Sequence, residues 1–485
     1  MMRGLFDDAL HEECGVVGFC SPTRCDLATS TYYALYALQH RGQQSAGIAV
    51  NDDGVFTVHN DAGLVNEVFD EAALAKLGHG NMAVGHVRYG TTGHERRLNA
   101  QPIVVNHIKG CMALAHNGNL TNSDALRSEL ELSGSIFHTT SDTEAIAYMI
   151  TRERITSGSI EEAVCKAMHK LSGAYSLVIM SPQKLIGVRD PHGFRPLSIG
   201  ALPDGGCVFA SETCALDSVG ASFVRDVEPG EIVIAERGKL RSIREHCHLQ
   251  TPSLCVFEYL YFARPDSVLD GCCVHLARQR AGEYLADEYP VDADVVIGVP
   301  DSGIDAALGF SRRSGIPYGL GFIKNKYIGR TFIESTQETR EKGVRIKLNP
   351  ISSTVCGKRV VLIDDSIVRG TTIARIVKLL RDAGATEVHV RSSSPKFAHP
   401  CYFGTDIDSQ ENLIACKYTD EELPRVLGVD SLGFLSVENV VKIAGNSDKT
   451  YCTGCFSGVY PCPPPPPRRK SKYLTKISDC TEERQ

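Results

Sequence analysis

The sequence predicts two fold classes in one chain: a β-rich layered domain in the N-terminal half and an α/β domain with a mainly parallel sheet in the C-terminal half. The first half contains many short strand-like segments separated by Gly, Asn and Asp turns, which is typical of antiparallel layers. The second half contains uninterrupted apolar runs at residues 295–299 and 360–363. Such runs are typical of parallel strands that are covered on both faces.

Bulk properties indicate a large enzyme and argue against other classes. A length of 485 residues predicts about two to four domains. The net charge of −7 argues against a general nucleic-acid surface. The sequence contains neither an apolar stretch of membrane-spanning length nor a signal-peptide core, so we expect a cytoplasmic protein without membrane contact. Eighteen cysteines in such a chain indicate thiols, metal ligands or a nucleophile.

The most informative segment follows the apolar run at residues 360–363. Asp364 and Asp365 come at the carboxyl end of this predicted strand, where open α/β sheets bind ligands. A small, hydroxyl-rich loop precedes a helical pattern at residues 373–380, so a phosphate there would meet a helix N-terminus. The acids can accept hydrogen bonds from ribose hydroxyls while the loop holds the phosphate. This combination predicts a sugar-phosphate site.

This acid-acid-hydroxyl-loop segment resembles the diphosphate-donor motif of type I phosphoribosyltransferases. The resemblance implies one Mg²⁺ per subunit, held with the donor by Ser302, Asp364 and Asp365, and Mg²⁺ commonly binds through few carboxylates plus phosphates. The other donor-binding residues that it implies in the loop are Ser366, Arg369, Gly370, Thr371 and Thr372. Residues 324–348 are rich in Lys and Arg and predict a lid over pyrophosphate, although a solvated basic loop is the alternative. The lid residues that match the family are Lys324, Lys326, Tyr327 and Arg330.

Cys14 precedes a short apolar run, a setting in which cysteine is usually an inert core residue. Four downstream clusters change that interpretation: QHRGQQSAGIA at 39–49, GHVRYGTTG at 85–93, AHNGNL at 115–120 and SDTE at 141–144. In this order they resemble the glutaminase domain of the N-terminal-nucleophile amidotransferases, which has an αββα layered fold. The resemblance implies that Cys14 is the nucleophile and that its own α-amino group moves the proton. Residues 1–13 would then be a propeptide that must be removed.

The resemblance also assigns the remaining glutamine-site residues. It implies that Arg88 binds the α-carboxylate of glutamine and that Asp142 binds its α-ammonium group. Asn117 and the Gly118 N–H would form the oxyanion hole. Each has a plainer interpretation, since Arg88 is also consistent with a surface ion pair and Asn117-Gly118 is also a common hairpin turn.

Together the two resemblances identify the chain, over residues 14–460, as similar to the glutamine phosphoribosylpyrophosphate amidotransferase family. They imply that glutamine and phosphoribosyl diphosphate are converted to 5-phosphoribosylamine, pyrophosphate and glutamate, the first step of de novo purine synthesis, with ammonia passed internally between the sites. The family further implies a homotetramer and feedback inhibition by purine nucleotides.

Four further cysteines resemble the ligands of a 4Fe-4S cluster, one per subunit, in the propeptide-containing subgroup of that family. These are Cys255, Cys401, Cys452 and Cys455. Four thiolates also satisfy zinc, which remains the alternative. Cys272, Cys273 and Cys462 are substitutes without the family context.

The resulting domain prediction has five parts. They are a propeptide at 1–13, a glutaminase domain at 14–245, a phosphoribosyltransferase domain at 246–416, a helical segment with cluster ligands at 417–460 and a Pro-rich tail at 461–485. The tail is expected to be extended and disordered, as a simple appendage or as a ligand for an SH3-like partner.

Two other functions are weighed against this one. A glucosamine-phosphate synthase type of amidotransferase would share the Cys14 domain but would need a sugar-isomerase partner in place of Asp364 and Asp365. A catalytically silent regulatory protein would bind nucleotides or the donor, but the chain retains each catalytic residue type that the resemblance requires.

Overall fold

The computed structural model describes residues 14–89, 97–325, 348–407, 409–445 and 449–466. The N-terminal half contains two antiparallel sheets, with seven strands in the order β11-β9-β10-β1-β4-β2-β3 and six in the order β13-β12-β8-β7-β6-β5. The bounds of these strands are β1 Gly15–Cys25, β2 Ser45–Asp52, β3 Val55–Ala62, β4 Gly80–Arg88, β5 Ile103–His107, β6 Gly110–Leu120, β7 Gly173–Met180, β8 Leu185–Arg189, β9 Ser198–Ala201, β10 Cys207–Ala210, β11 Ser222–Asp226, β12 Ile232–Glu236 and β13 Lys239–Ile243.

The two sheets pack face to face through small apolar side chains such as Val16, Ala49 and Val178. The outer face of the seven-stranded sheet is covered by α1 Leu27–Ala37, α2 Val65–Val68, α3 Glu71–Leu77 and α7 Thr213–Ser218. The outer face of the other sheet is covered by α4 Ser123–Leu132, α5 Asp142–Thr156 and α6 Ile160–Met168. Helices therefore enclose both sheets, and the predicted αββα layering is confirmed.

The C-terminal half is built on a four-stranded parallel sheet in the order β17-β20-β21-β22. Its strands are β17 Val295–Gly298, β20 Arg359–Asp364, β21 Glu387–Ser392 and β22 Ser431–Phe434. Along β20, Val361 and Ile363 pack into one apolar layer, whereas Val360 and Leu362 pack into the opposite one. The apolar run reads as continuous because both faces of the strand are buried, as predicted.

Helices cover both faces of this parallel sheet. Their bounds are α8 Val274–Glu288, α9 Ile304–Ser314, α10 Ser352–Val355 and α11 Thr371–Asp382. Helices α8 and α9 pack on one face, and α11 packs on the other. Helix α11 includes the whole helical pattern that the sequence predicts at 373–380.

Shorter elements complete the described chain. The antiparallel pairs are β15 Val268–Leu269 with β16 Cys272–Cys273 and β18 Phe322–Lys324 with β19 Leu348–Pro350, and the parallel pair is β14 Leu254–Cys255 with β23 Tyr451–Cys452. A π-helix spans Glu258–Phe262 and a 3-10 helix spans Gln410–Asn412, and the last short helices are α12 Ile414–Lys417, α13 Leu423–Leu427, α14 Val437–Val440 and α15 Gly454–Ser457. Segment 417–460 is thus helical in part, but it also supplies β22, because its apolar residues complete the parallel sheet. No described helix has the length and apolarity that crossing a membrane requires.

Candidate active sites and the thiol cavity

Cys14 and Arg88 lie side by side at the ends of two paired strands. Gly15 is the register partner of Val87, so Cys14 at the start of β1 is next to Arg88 at the end of β4. The Cys14 thiol donates to the Tyr89 carbonyl oxygen over 3.6 Å. Arg88 is buried, which excludes the surface ion pair considered from sequence. Burial lowers the pKa of Arg88, while the charges of Cys14 and Asp142 raise it, so both groups lie near the guanidinium.

Asp142 is the first residue of α5, after the N-cap Ser141. Its carboxylate accepts a hydrogen bond from the Leu120 N–H at 3.0 Å, and its Oδ1 lies 3.5 Å from His116 Nδ1. Burial raises the pKa of Asp142, but His116 and the backbone N–H donors outweigh it, so the pKa is lowered overall. The carboxylate is therefore held ionised near Arg88.

Asn117 and Gly118 lie within strand β6, not at a hairpin turn, opposite Ser176 and Tyr175 of β7. The Asn117 side chain is buried, and neither its amide nitrogen nor its amide oxygen has a hydrogen-bond partner in the described part of the chain. Gly118 has a φ of 136°, and a Cβ there would lie 2.3 Å from the Ala174 carbonyl oxygen. A buried amide without a partner is unfavourable, so its donor is available to a bound group.

Two histidines in the same motifs received no role from the sequence. His116 Nδ1 lies 3.2 Å from Thr143 Oγ1 and 3.5 Å from Asp142, and His86 Nε2 lies 3.0 Å from the His116 carbonyl oxygen. Burial lowers the pKa of His86 to about 3, so this ring stays neutral. His116 thus contacts Asp142 directly, and His86 contacts the backbone of His116. The position of His116 one residue before Asn117 was the available signal.

At the second site, Asp364 ends β20 and Asp365 follows it, and both are more than nine-tenths buried. The Ser302 hydroxyl donates to Asp365 Oδ1 at 2.5 Å, and the Ser366 hydroxyl donates to Asp365 Oδ2 at 2.6 Å. Burial and the neighbouring Asp365 raise the pKa of Asp364 well above its ordinary value, and burial also raises that of Asp365. Ser302 and both acids therefore meet at the carboxyl end of the strands, the edge at which open α/β sheets bind ligands.

The predicted phosphate loop leads directly into α11. Gly370 has a φ of 83°, and a Cβ there would lie 2.3 Å from the Ile414 side chain. Thr371 and Thr372 form the exposed first turn of α11, and Arg369 is half-buried. The loop thus presents hydroxyls and N–H groups at a helix N-terminus, which suits an anion.

Of the four predicted lid residues, the structure describes Lys324. Its ammonium group contacts Asp301 Oδ2 at 2.6 Å, in the loop that also carries Ser302. Lys326, Tyr327 and Arg330 lie outside the described residues. Strands β18 and β19, which come before and after residues 326–347 in the sequence, pair with each other, and Lys324 of β18 is the residue that contacts Asp301.

The four predicted cluster cysteines line one enclosed cavity, although they come from three distant parts of the sequence. Cys255 faces Cys452 in the β14–β23 pair, and the cavity also includes Cys401 and Cys455. Its other walls are mainly aromatic, from Phe194, Phe257, Phe397, Phe403 and Tyr460. Burial raises the pKa of Cys455 well above its ordinary value, and the other three thiols raise it further.

The cavity lining distinguishes the four predicted cluster ligands from the three alternative cysteines that the sequence offered. Cys272, Cys273 and Cys462 are absent from its lining. Among the described residues, no group of three His, Cys, Asp or Glu side chains is arranged to hold a metal ion. In a tetrahedral zinc site, Zn–S bonds of about 2.3 Å would hold the four sulfur atoms about 3.8 Å from one another. The donor chemistry fits a thiolate-bound group, and the choice between iron-sulfur and zinc remains a prediction.

Comparison with known families matches both halves of the chain. Residues 87–218 match the glutamine amidotransferase domain family, and residues 273–393 match the phosphoribosyl transferase domain family. An amidophosphoribosyltransferase from Synechocystis sp. is 50% identical over 476 residues, covering 98% of this chain and 96% of that protein. The Bacillus subtilis amidophosphoribosyltransferase is 49% identical, covering 93% and 94% respectively.

Solved structures agree with these matches over nearly the same length. The glutamine phosphoribosylpyrophosphate amidotransferase from B. subtilis, complexed with ADP and GMP, superimposes with a TM-score of 0.85 at 48% identity, covering 92% of this chain and 97% of that one. A structure described as the allosteric regulatory enzyme of purine biosynthesis gives a TM-score of 0.86 at 47% identity, covering 92% and 96%.

Proposed function

The chain belongs to the amidophosphoribosyltransferase family, and on that premise we propose how its two sites divide the reaction. Glutamine is hydrolysed at the Cys14 site, and the released ammonia displaces pyrophosphate from phosphoribosyl diphosphate at the Asp364–Asp365 site. The product is 5-phosphoribosylamine, with which purine synthesis begins. The observation that carries this division is the buried Asn117 amide without a partner among the described residues, in the same domain as the strand-end Cys14 and in the same chain as a buried acidic pair.

At the glutamine site, the Cys14 thiolate attacks the carboxamide carbon and forms a tetrahedral intermediate. The Cys14 α-amino group, freed by removal of residues 1–13, accepts the thiol proton and passes it to the leaving ammonia. A free α-amine has a pKa of about 7.7–8.0, which suits this transfer near neutral pH. Water then hydrolyses the thioester to glutamate and regenerates the thiol.

The surrounding groups match the charges of bound glutamine. Arg88 binds its α-carboxylate in a bidentate manner, and the ionised Asp142 binds its α-ammonium group. The Asn117 amide and the Gly118 N–H donate to the developing oxyanion. Such an arrangement favours glutamine over other amides because both ends of the amino acid group are bound by an opposite charge.

At the donor site, Asp364 and Asp365 accept hydrogen bonds from ribose hydroxyls, and the loop from Ser366 to Thr372 holds the 5-phosphate at the start of α11. Lys324, with Lys326, Tyr327 and Arg330, covers the pyrophosphate. Mg²⁺ held by Ser302, Asp364 and Asp365 would supply positive charge to the departing pyrophosphate. The raised pKa of the acidic pair supports this assignment, since a cation beside the pair offsets the repulsion between the two carboxylates.

The Cys14→Ala variant tests the division of labour. We expect glutamine-dependent phosphoribosylamine formation to fall by more than about a thousandfold, because no other thiol replaces the nucleophile. Synthesis from added ammonia should persist within about twofold. Pyrophosphate release measures both reactions, and Cys111→Ala, which removes a half-buried thiol from β6, is the matched control. Loss of both reactions in Cys14→Ala would contradict two separate sites.

The thiol cavity is proposed to hold a 4Fe-4S cluster that fixes the C-terminal segment to the rest of the chain. Its support is the convergence of four cysteines on one cavity, since four is the usual ligand number for such clusters. Anaerobically purified protein should be brown and contain about four iron and four labile sulfide per chain. Replacing Cys455 by Ser should remove the iron, whereas Cys462→Ser should retain it. A colourless, zinc-loaded protein would overturn the cluster in favour of zinc.

Maturation, assembly and regulation complete the proposal. Removal of residues 1–13 is required if the Cys14 α-amine acts, so N-terminal sequencing of active protein should begin at Cys14. A homotetramer and inhibition by purine nucleotides follow from the family resemblance, and a cytoplasmic location is the expectation drawn from the sequence. Nucleotide inhibition is also supported by the B. subtilis relative, whose structure is described as complexed with ADP and GMP.

A further inference from the structure

Two cysteines face each other across neighbouring strands of the seven-stranded sheet. Cys20 of β1 is the register partner of Cys207, the first residue of β10. Both residues belong to the apolar layer between the two sheets, where they are 2% and 4% exposed. Both thiols are free, and the proposed reaction uses neither of them. Two free thiols on one face of adjacent strands are placed to react with each other.

The backbone positions of this pair nearly match those that a disulfide bond requires. Directly opposed residues of antiparallel strands have Cα atoms about 4.5–5.5 Å apart, and disulfide bonds span about 4.4–6.8 Å between Cα atoms. The Cβ atoms of opposed residues are about 4.5–5.5 Å apart, against about 3.5–4.5 Å in a disulfide. Closing the bond therefore needs a movement of about 1 Å, which strains the bond and makes it easier to reduce.

The pair lies at the end of its ladder, where such a movement costs least. Cys20 and Cys207 are the last register partners between β1 and β10, and the pairing of β1 with β4 shifts register between Cys20 and Cys25. On the other strand, a turn precedes Cys207, closed by a hydrogen bond from the Leu202 N–H to the Gly206 carbonyl oxygen at 2.9 Å. Both backbones can therefore adjust at the cysteines while the rest of the ladder keeps its register.

A tight turn lies over the Cys20 thiol and favours its ionised form. Strands β12 and β13 are joined by Arg237 and Gly238, whose φ values are 49° and 75°, as in a two-residue hairpin turn. The Cys207 thiol and the N–H groups of both turn residues donate to the Cys20 sulfur and lower the pKa of Cys20, although burial opposes them. The pKa of Cys207 is raised, because it donates to Cys20 and is buried. Cys20 is thus the nucleophile of the pair.

The cover over the two thiols is thin. Pro22, Gly205, Arg237 and Gly238 are all exposed. A Cβ on Gly238 would lie 3.0 Å from the Gly205 carbonyl oxygen and 3.9 Å from the Pro22 side chain, so these exposed residues meet at the end of the two sheets. Exposed turns open locally at little cost in free energy, and such an opening admits a molecule as small as hydrogen peroxide.

From these contacts we propose that Cys20 and Cys207 are a modification site that hydrogen peroxide oxidises to a reversible disulfide bond. The Cys20 thiolate attacks one peroxide oxygen and breaks the O–O bond, giving a sulfenic acid and a hydroxide ion that is protonated to water. The Cys207 sulfur then attacks the Cys20 sulfur, the S–S bond forms, and the sulfenic oxygen leaves as a second water with the Cys207 proton. The two sulfurs lose two electrons, and the peroxide accepts them. A dithiol reductant reverses the step by exchange.

Peptide mapping of the whole protein tests this proposal. Reduced protein is treated with hydrogen peroxide, quenched in acid, alkylated under denaturing conditions without reductant, digested and analysed by mass spectrometry. We expect a linked Cys20–Cys207 peptide that disappears after treatment with dithiothreitol. In Cys207→Ala the linked peptide should be lost, and dimedone should trap Cys20 as its sulfenic acid. The matched control is Cys165→Ala, which removes another buried thiol of the same domain, beside Glu245 at 3.2 Å, and which should give the linked peptide at the wild-type yield.

The outcomes decide the proposal without reference to catalysis. If peroxide-treated wild-type protein gives no linked Cys20–Cys207 peptide, or if Cys20 is linked to a different cysteine, the proposal is wrong. Because the measurement follows the two peptides and not activity, oxidation of Cys14 or of the thiol cavity does not affect it. Thermal unfolding checks that both variants fold. Should Cys207→Ala not fold, the linked peptide of the wild-type protein and its loss on reduction decide alone.

Discussion

At the glutamine site the carboxylate of Asp142, whose side chain is 10% exposed, is flanked by His116 and by backbone N–H donors, whereas at the donor site the buried Asp364 and Asp365 lie side by side. The pKa of Asp142 is accordingly lowered, and the pKa values of the acidic pair are raised. At the glutamine site, groups of the protein itself stabilise the ionised carboxylate, so the site can bind a zwitterion such as glutamine without a further cation. At the donor site, ionisation of both carboxyl groups becomes favourable only when a cation or a hydrogen-bonding ligand binds to them.

The variant Asp364→Asn changes the donor site and has the largest expected effect. Removing the carboxylate removes its share of several kcal/mol of metal-assisted stabilisation, so both glutamine-dependent and ammonia-dependent synthesis should fall by about a thousandfold. Pyrophosphate release measures both reactions. The control is Asp294→Asn, which removes a carboxylate at the opposite edge of the same sheet, where it pairs with Arg359. If the rate of synthesis fell by different factors with glutamine and with ammonia, the proposed separation of the two sites would be contradicted, since both reactions use the donor site.

The variant Asn117→Ala changes the glutamine site. One lost oxyanion donor commonly lowers kcat by about a hundredfold or more, so glutamine hydrolysis should fall by that factor while ammonia-dependent synthesis stays within about twofold. The control is Asn51→Ala, which removes another buried amide that binds the carbonyl groups of Ser181 and Pro182. A rate loss of equal size in both variants would show that Asn117 acts through stability and not on the oxyanion.

The smallest expected effect is the opposite pH dependence of stability at the two sites. The folded pKa of Asp364 is raised, so its charge destabilises the fold above its unfolded pKa, and Asp364→Asn should unfold at a higher temperature at pH 8 in magnesium-free buffer. The gain should begin to diminish as the pH falls below the raised folded pKa and should vanish near the ordinary value of 3.8. The folded pKa of Asp142 is lowered, so Asp142→Asn should unfold at a lower temperature at neutral pH. That loss should diminish only below the ordinary value of 3.8.

Each pKa unit corresponds to about 1.4 kcal/mol, so shifts of a few degrees in the unfolding midpoint are expected. Calorimetry from pH 8 downwards measures both variants beside the wild type. Stability changes of the same sign in Asp364→Asn and Asp142→Asn at pH 8 would contradict the electrostatic difference between the sites. Addition of Mg²⁺ should raise the midpoint of the wild type more than that of Asp364→Asn.

Many residues of both sites lie close together in the sequence and could be predicted from short motifs. The strand at 360–363, the two acids, the loop and α11 follow one another within about twenty residues, so neighbouring residues alone fix their order and the edge of the sheet at which they emerge. The same is true of Asn117 and Gly118, although their place inside β6 instead of a turn depends on pairing with β7. A dipeptide cannot indicate that pairing, because the same residues also favour hairpins.

The sequence by itself determined the two fold classes, the order of the motifs and the residue types at each site, because these depend on periodicity and on short-range backbone preferences. Only the tertiary structure decided which distant groups meet. It brought Cys255 beside Cys452 through a two-residue parallel pair and joined Arg41 to Glu258 across the two halves. These contacts depend on long-range packing, in which one buried charge or thiol is stable only where another part of the chain supplies its partner.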